Sequence, residues 1–251
     1  CLTFDDSLKS QFDIIYPELE KRNLKAFFFV YSLASSKNPP MFEFFRDFKL
    51  SCFNNLDEYY TLFFETIRSK YSKEYGALLH NYKVDYLSSY TFYTVNDKKY
   101  RFLRDVILKD KYYEVVLGMI KEKNYSMSPR IENLFMSTED IKTLYKSGHT
   151  IGLHSHSHST RMNELSYKDQ LEEYSMNYDF INSITNDNVT SMSHPCGNYN
   201  DDTLKILKKL DIKVGFRDSM IPSYCKSALE IPREDHTNII KKIRLNKNNG
   251  L

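Results

Sequence analysis

The opening of the chain narrows its fold more than any other stretch. Cys1-Leu2-Thr3-Phe4 is a short apolar run, and Lys25-Ala26-Phe27-Phe28-Phe29-Val30-Tyr31 is a second, longer one. Between them Leu8, Phe12, Ile15 and Leu19 recur at three- and four-residue steps, the spacing of one helix face. Ser7 is placed to cap that helix, and Pro17 inside it predicts a kink or a restart. Strand, helix and strand within about 30 residues make a βαβ unit, whose two strands must run parallel. The chain is therefore read as α/β.

The alternation then pauses. Ser35-Ser36-Lys37-Asn38-Pro39-Pro40 is loop chemistry. Aromatic-rich helical stretches follow at Leu56 to Tyr71 and Tyr100 to Lys121, with Tyr90 to Val95 open to a strand reading. Residues from about 34 to 134 are read as a mostly helical insertion after the second strand, its Phe/Tyr stripe forming a core. Alternation resumes at Ser137, which with Asp140 resembles a capping box, in a helix stopped by Gly148. Strands are expected at 149–153, 189–192, 213–216 and 229–232, with helices at 166–184 and 201–210 and a frayed basic tail from Lys241. The whole of 1–251 is read as a single catalytic domain carrying that insertion.

Unusual polar clusters fall where these strands end, and the carboxyl ends of strands are where α/β sheets build sites. Asp5 and Asp6 follow the first strand, and His154-Ser155-His156-Ser157-His158 follows the third. Asp6, His154 and His158 together make a three-ligand metal set with room for water, suited to Zn²⁺ first and also to Fe²⁺, Co²⁺ or Ni²⁺. His156 would then point elsewhere. Two histidines and one carboxylate also describe a non-haem iron oxygenase, but such a site has no need of a second acid beside the ligand. A hydrolase has: metal brings the pKa of water to about 7, and a neighbouring carboxylate, here Asp5, takes its proton.

These residues resemble the motifs of the polysaccharide deacetylases, the NodB homology domain of carbohydrate esterase family 4. Thr3-Phe4-Asp5-Asp6 is similar to the first motif and His154-Ser155-x-x-His158 to the second, led in by Gly148-His149-Thr150-Ile151-Gly152. His194-Pro195-Cys196-Gly197 resembles the third, a turn beside the substrate whose backbone N–H near Cys196 would stabilise an oxyanion. The resemblance implies a distorted, incomplete (β/α) barrel that removes acetyl groups from N-acetylated amino sugars or glycans with a divalent metal, zinc first. It makes Asp5 the base and Asp6, His154 and His158 the ligands. Three departures stand out. Ser7 follows the aspartate pair where Gly is usual, and Ser193-His194 stand where many members carry Arg. Arg233 is then the candidate to supply that charge, as a bidentate partner of Asp5 or Asp235. Third, the late motif that carries the family's general-acid histidine is matched only loosely: His236, the one late histidine, is the candidate, with His194 competing. The alternatives are a deformylase or amidohydrolase for a non-polymeric or lipid-linked N-acyl substrate, and a catalytically degenerate glycan-binding protein.

Bulk properties exclude other classes. A net charge of +2 gives no electrostatic footing for nucleic acid. No apolar run of about 18 residues occurs, so no membrane span is expected. None of Cys1, Cys52, Cys196 and Cys225 sits in a CxxC pair, which argues against a cysteine zinc site. No signal peptide is visible, in a chain that starts without Met, which favours the cytoplasm.

Overall fold

A computed structural model describes residues 1–37, 39–71, 93–109, 111–126 and 133–248, together with 73, 76, 82 and 85–88. The chain divides into two compact units, Met41–Ile131 and a unit formed by Cys1–Pro40 with Glu132–Leu251.

The second of these holds one sheet. Its strands are β1 (Leu2–Phe4), β2 (Ala26–Val30), β3 (Thr150–Leu153), β4 (Ser191–Ser193) and β5 (Val214–Phe216). They lie side by side in that order and every neighbouring pair is parallel. The sheet curls. Laid flat, strands about 4.8 Å apart would separate β2 from β5 by roughly 14 Å. Instead the Phe216 ring of β5 packs against Phe27 and Phe29 of β2, with centroids 5.4 and 5.5 Å apart. The result is an incomplete (β/α) barrel.

Alternation along each strand divides its residues between two faces. Phe28 and Val30, Ile151 and Leu153, and Met192 face outward into the helix-covered core, with Leu144, Tyr174, Ile181 and Ile206. Phe27, Phe29 and Phe216 fill the interior. Gly152 is required there: a Cβ would stand 2.5 Å from Ser191 Oγ and 2.6 Å from the Phe29 ring.

The connections follow the sequence with instructive differences. A π-helical turn at Gln11–Ile15 runs into α1 (Tyr16–Lys21), with Pro17 in the first turn, where a missing N–H costs nothing. Ser7 does not cap this helix. It is fully buried with φ 57°, and its hydroxyl accepts the Tyr31 N–H at the end of β2. The helix that follows the insertion, Thr138–Lys146, has the expected Ser137–Asp140 capping box, and Gly148 takes φ 84° beyond its end. Tyr167–Thr185 and Asp201–Lys209 are helices capped by Ser166 and Asn200. The expected last strand is reduced to one bridge, Ile231 beside Phe216. The tail is not frayed from Lys241: His236–Asn248 is a helix.

The other unit is helical. Phe42–Ser51 (α2), Leu56–Lys70 (α3), Val95–Phe102 (α4) and Lys111–Glu122 (α5) bury Phe45, Phe48, Tyr59, Phe63, Tyr100 and Tyr112, so the aromatic stripe is core. The Tyr100 and Tyr112 hydroxyls hydrogen-bond each other at 2.7 Å, which satisfies two buried polar groups together. Residues 90–92 of the proposed strand lie outside the described residues, and Thr94 caps α4. Numbered in continuation, the helices after the insertion are α6 (Thr138–Lys146), α7 (Tyr167–Thr185), α8 (Asp201–Lys209) and α9 (His236–Asn248). No helix among the described residues is long and apolar enough to cross a membrane.

Candidate metal and catalytic site

The inward-facing rows of the strands end at one mouth, and the polar clusters lie there. Thr3 and Asp5 continue the inward row of β1, Thr150, Gly152 and His154 that of β3, and Ser191 and Ser193 that of β4. A regular strand would turn Asp6 to the opposite face from Asp5. Its φ of 76° breaks the strand, and its carboxylate swings toward the histidines. Ser155 (φ 62°) and His158 (φ 57°) fold the next loop back on itself, so the two imidazole rings stand 4.8 Å apart. Left-handed residues other than glycine carry strain of about 1–3 kcal/mol each and gather at functional sites. Ser7 in that conformation also explains the glycine usual at its position.

Asp6 Oδ1 lies 3.3 Å from His154 Nε2 and 3.1 Å from His158 Nε2. One ligand atom from each of the three residues falls within 4.8 Å of the others. Tetrahedral bonds of about 2.0–2.1 Å place ligand atoms about 3.3 Å apart, so the spacing suits a small divalent cation. Protonation points the same way. His154 Nδ1 faces the Ser193 carbonyl at 2.9 Å and must donate to it, so a neutral ring would aim a bare Nε2 lone pair at a carboxylate oxygen; without a metal the ring takes up a second proton instead, and although burial lowers it, Asp5 and Asp6 raise it above the ordinary imidazole value. A metal cation can take the place of that proton, with Nε2 and the carboxylate oxygen both turned to it. The residues fit a metal.

Two side chains of α7 hold this loop, and the sequence reading missed both. Asn177, fully buried, accepts the His154 N–H at 2.9 Å and donates to Val30 O at 3.0 Å. Glu173 Oε2 accepts the N–H groups of His156 and Ser157. Asn177 had left a signal, a polar residue in the buried stripe of Gln170, Tyr174 and Ile181. His156 bonds Ser32 Oγ at 2.8 Å through Nδ1.

Beside the three ligands, Arg233 grips Asp5 with both arms, Nη1 to Oδ1 at 2.8 Å and Nη2 to Oδ2 at 2.6 Å. Its partner is Asp5; Asp235 instead lies by His236. Ser193 Oγ donates to Asp5 Oδ2 at 3.0 Å and accepts from Arg233 Nη2 at 2.8 Å, while Thr3 Oγ1 accepts from Nη1. Burial pushes the Asp5 carboxyl up, but the positive ends of His154 and Arg233 outweigh it and hold it below the usual range. Asp6 is likewise raised by burial and carried well below that range by hydrogen bonds from His154 and His158.

The third cluster is placed differently from expectation. His194 is fully buried, its Nε2 donates to Leu229 O at 2.8 Å and its ring stacks on Tyr199. Sealed from solvent it cannot face a substrate, and burial lowers it to about 4, so at neutral pH the ring is uncharged and its one proton is held by Leu229 O. Pro195 is buried too, and only Cys196 of the three is exposed, at φ 52°. His236, at the start of α9, has a side chain 83% exposed with Nδ1 3.6 Å from Asp235, so it is no part of the buried cluster.

Comparison with known proteins bears on the family and the fold. The profile of the family described as polysaccharide deacetylase matches residues 57–215, more than half of the chain. The match contains both histidines and the Pro195 turn but not Asp5 or Asp6, which join the site through the fold. IcaB from Ammonifex degensii is similar in fold, with a TM-score of 0.50 at 12% identity over 96% of this chain and 70% of that one. A Streptococcus pyogenes deacetylase, PplD, in a complex with acetate, is matched at a TM-score of 0.49 and 16% identity, over 96% and 68% of the two chains. No curated protein matches the chain. With its incomplete parallel barrel and its profile match, the chain belongs to the polysaccharide deacetylase family and is a hydrolase of the deacetylase type.

Proposed function

We propose that the protein removes the N-acetyl group from an amino sugar or glycan and depends on a divalent metal, zinc first, held by Asp6, His154 and His158. The supporting observation is the convergence of those three ligand atoms beside a second carboxylate, Asp5, that is clamped and kept ionised. A bound cation would supply Lewis-acid polarisation of the amide carbonyl and a lowered pKa for the attacking water. Asp5 takes the proton from that water, and Arg233, with Ser193, fixes the direction in which its carboxylate points. The backbone N–H at Cys196, in an exposed turn, is the donor for the oxyanion as the carbonyl carbon becomes tetrahedral. Residues 1–251 act as one catalytic domain interrupted by the helical insertion.

Asp5→Asn keeps shape and ligands but removes the base. Acetate release from N-acetylglucosamine oligomers should fall by about 10²–10⁴-fold while one metal per chain is retained by elemental analysis. Turnover close to the parent's would remove Asp5 from this role.

A further inference from the structure

Cleaving an amide leaves an amine that must gain a proton, and the described histidines do not offer one at this site. His154 and His158 face Asp6, His156 bonds Ser32, and His149 lies in the core beside Glu20 and the Phe28 ring. His194 is sealed under the turn and His236 stands in solvent. His80 lies outside the described residues.

The barrel supplies another group. Val214 and Phe216 form the inward row of β5, and two residues further along the same row is Asp218. It stands at the mouth where the rows of β1, β3 and β4 deliver Asp5, His154 and Ser193. Asp218 is exposed, so a ligand can reach it. Its carboxylate also lies against the turn that carries Cys196: a Cβ on Gly197 would fall 2.2 Å from Asp218 Oδ1. Glycine at 197, with φ 62°, is what lets that acid stand beside the oxyanion donor.

We propose that Asp218 is the acid that protonates the departing amine. The assignment rests on the deacetylase reading above. As the tetrahedral species collapses, the C–N bond breaks and its electron pair goes to nitrogen. The Asp218 proton joins that pair, and the carbonyl of the acetate re-forms. Asp218 is left as carboxylate and regains a proton from solvent, while Asp5 releases to solvent the one it took from water. The charges around Asp218 suit a donor. The residue reaches solvent, but the protein packed round its carboxylate strips it of water and raises it above the ordinary value; Arg233 and its own backbone N–H oppose that, Asp5 adds to it and Arg217 opposes it, with Tyr199 facing the same group.

The test compares leaving groups in one protein. The parent and Asp218→Asn, matched for melting temperature and metal content, are assayed on an N-acetylglucosamine oligomer and on 4-nitrophenyl acetate, whose phenolate departs without a proton. The expected result is a loss on the sugar of about 100-fold or more, with the alkaline limb of kcat/KM gone, and a change under threefold on the ester. Equal losses on both substrates, or an unchanged sugar rate, would overturn the assignment. A parent that cleaves the ester but no N-acetyl sugar would overturn the deacetylase reading and Asp218 with it.

Discussion

Replacing Arg233 with Gln tests how the base is kept ionised. Two of the influences that lower Asp5, the hydrogen bond and the charge of Arg233, disappear together, while burial remains. Removing one partner of a buried ion pair costs about 3–5 kcal/mol. The side chains are 15% and 24% exposed, so solvent screens the pair in part, and a loss of about 2–4 kcal/mol at pH 7 is expected. The sign follows from a depressed pKa. Asp5 is ionised and active above its folded pKa, so losing Arg233 moves the acid limb of kcat/KM to higher pH. Stability follows in the metal-free protein. The depressed pKa contributes stability present above the unfolded value of about 3.9 and lost as pH falls through the folded one. The variant should therefore be weaker than the parent at pH 7, by a gap that narrows below about pH 4. Urea melts of chelated protein at pH 3.5 and 7, with a pH–rate profile of the loaded enzyme, measure both. Arg233→Lys keeps the charge but not the fork, and should fall between. An acid limb that stays in place, or a stability gap that does not change with pH, would refute the reasoning.

Two further outcomes follow from backbone geometry. Ser7→Ala deprives the Tyr31 N–H of its hydroxyl acceptor and keeps a side chain at φ 57°, which should destabilise by about 1–3 kcal/mol in urea melts. Ser7→Gly loses the same bond but not the left-handed allowance, so it should be the milder change, and the reverse order would discount the strain. Gly152→Ala drives a methyl against Ser191 and Phe29 two residues before His154. It should cost about 1–3 kcal/mol and weaken zinc affinity in a competition titration, and an unaltered melt would mean the interior has slack.

What lay open in the sequence was local. The apolar runs, the three-and-four spacing after Ser7, the Ser137–Asp140 cap and the Gly148 stop each depend on residues within a few positions of one another, and periodicity reports them. Chemistry at strand ends was visible in the same way, because Asp5-Asp6 and the histidine run have no packing reason to follow apolar strands. The edges of that reading were softer. The tail from Lys241 belongs to a helix, and the last strand shrank to one bridge at Ile231.

The partnership of Asp5 with Arg233 joins residues 228 apart in the chain, and the sequence left Asp235 as an equal choice. It was decided by the curl of the sheet, which carries Ile231 along β5 and so brings Arg233 round to β1. Burial likewise withdrew His194 from the substrate, and solvent claimed His236, although both are histidines beside polar neighbours. The parity of β5 promoted Asp218, which no motif marked. Residue types and short spacings set which chemistry the chain has available. Which groups meet, and which are shut away, depends on the closing of the barrel, because only that closure turns distant strand ends into neighbours and fixes which of them keep their water.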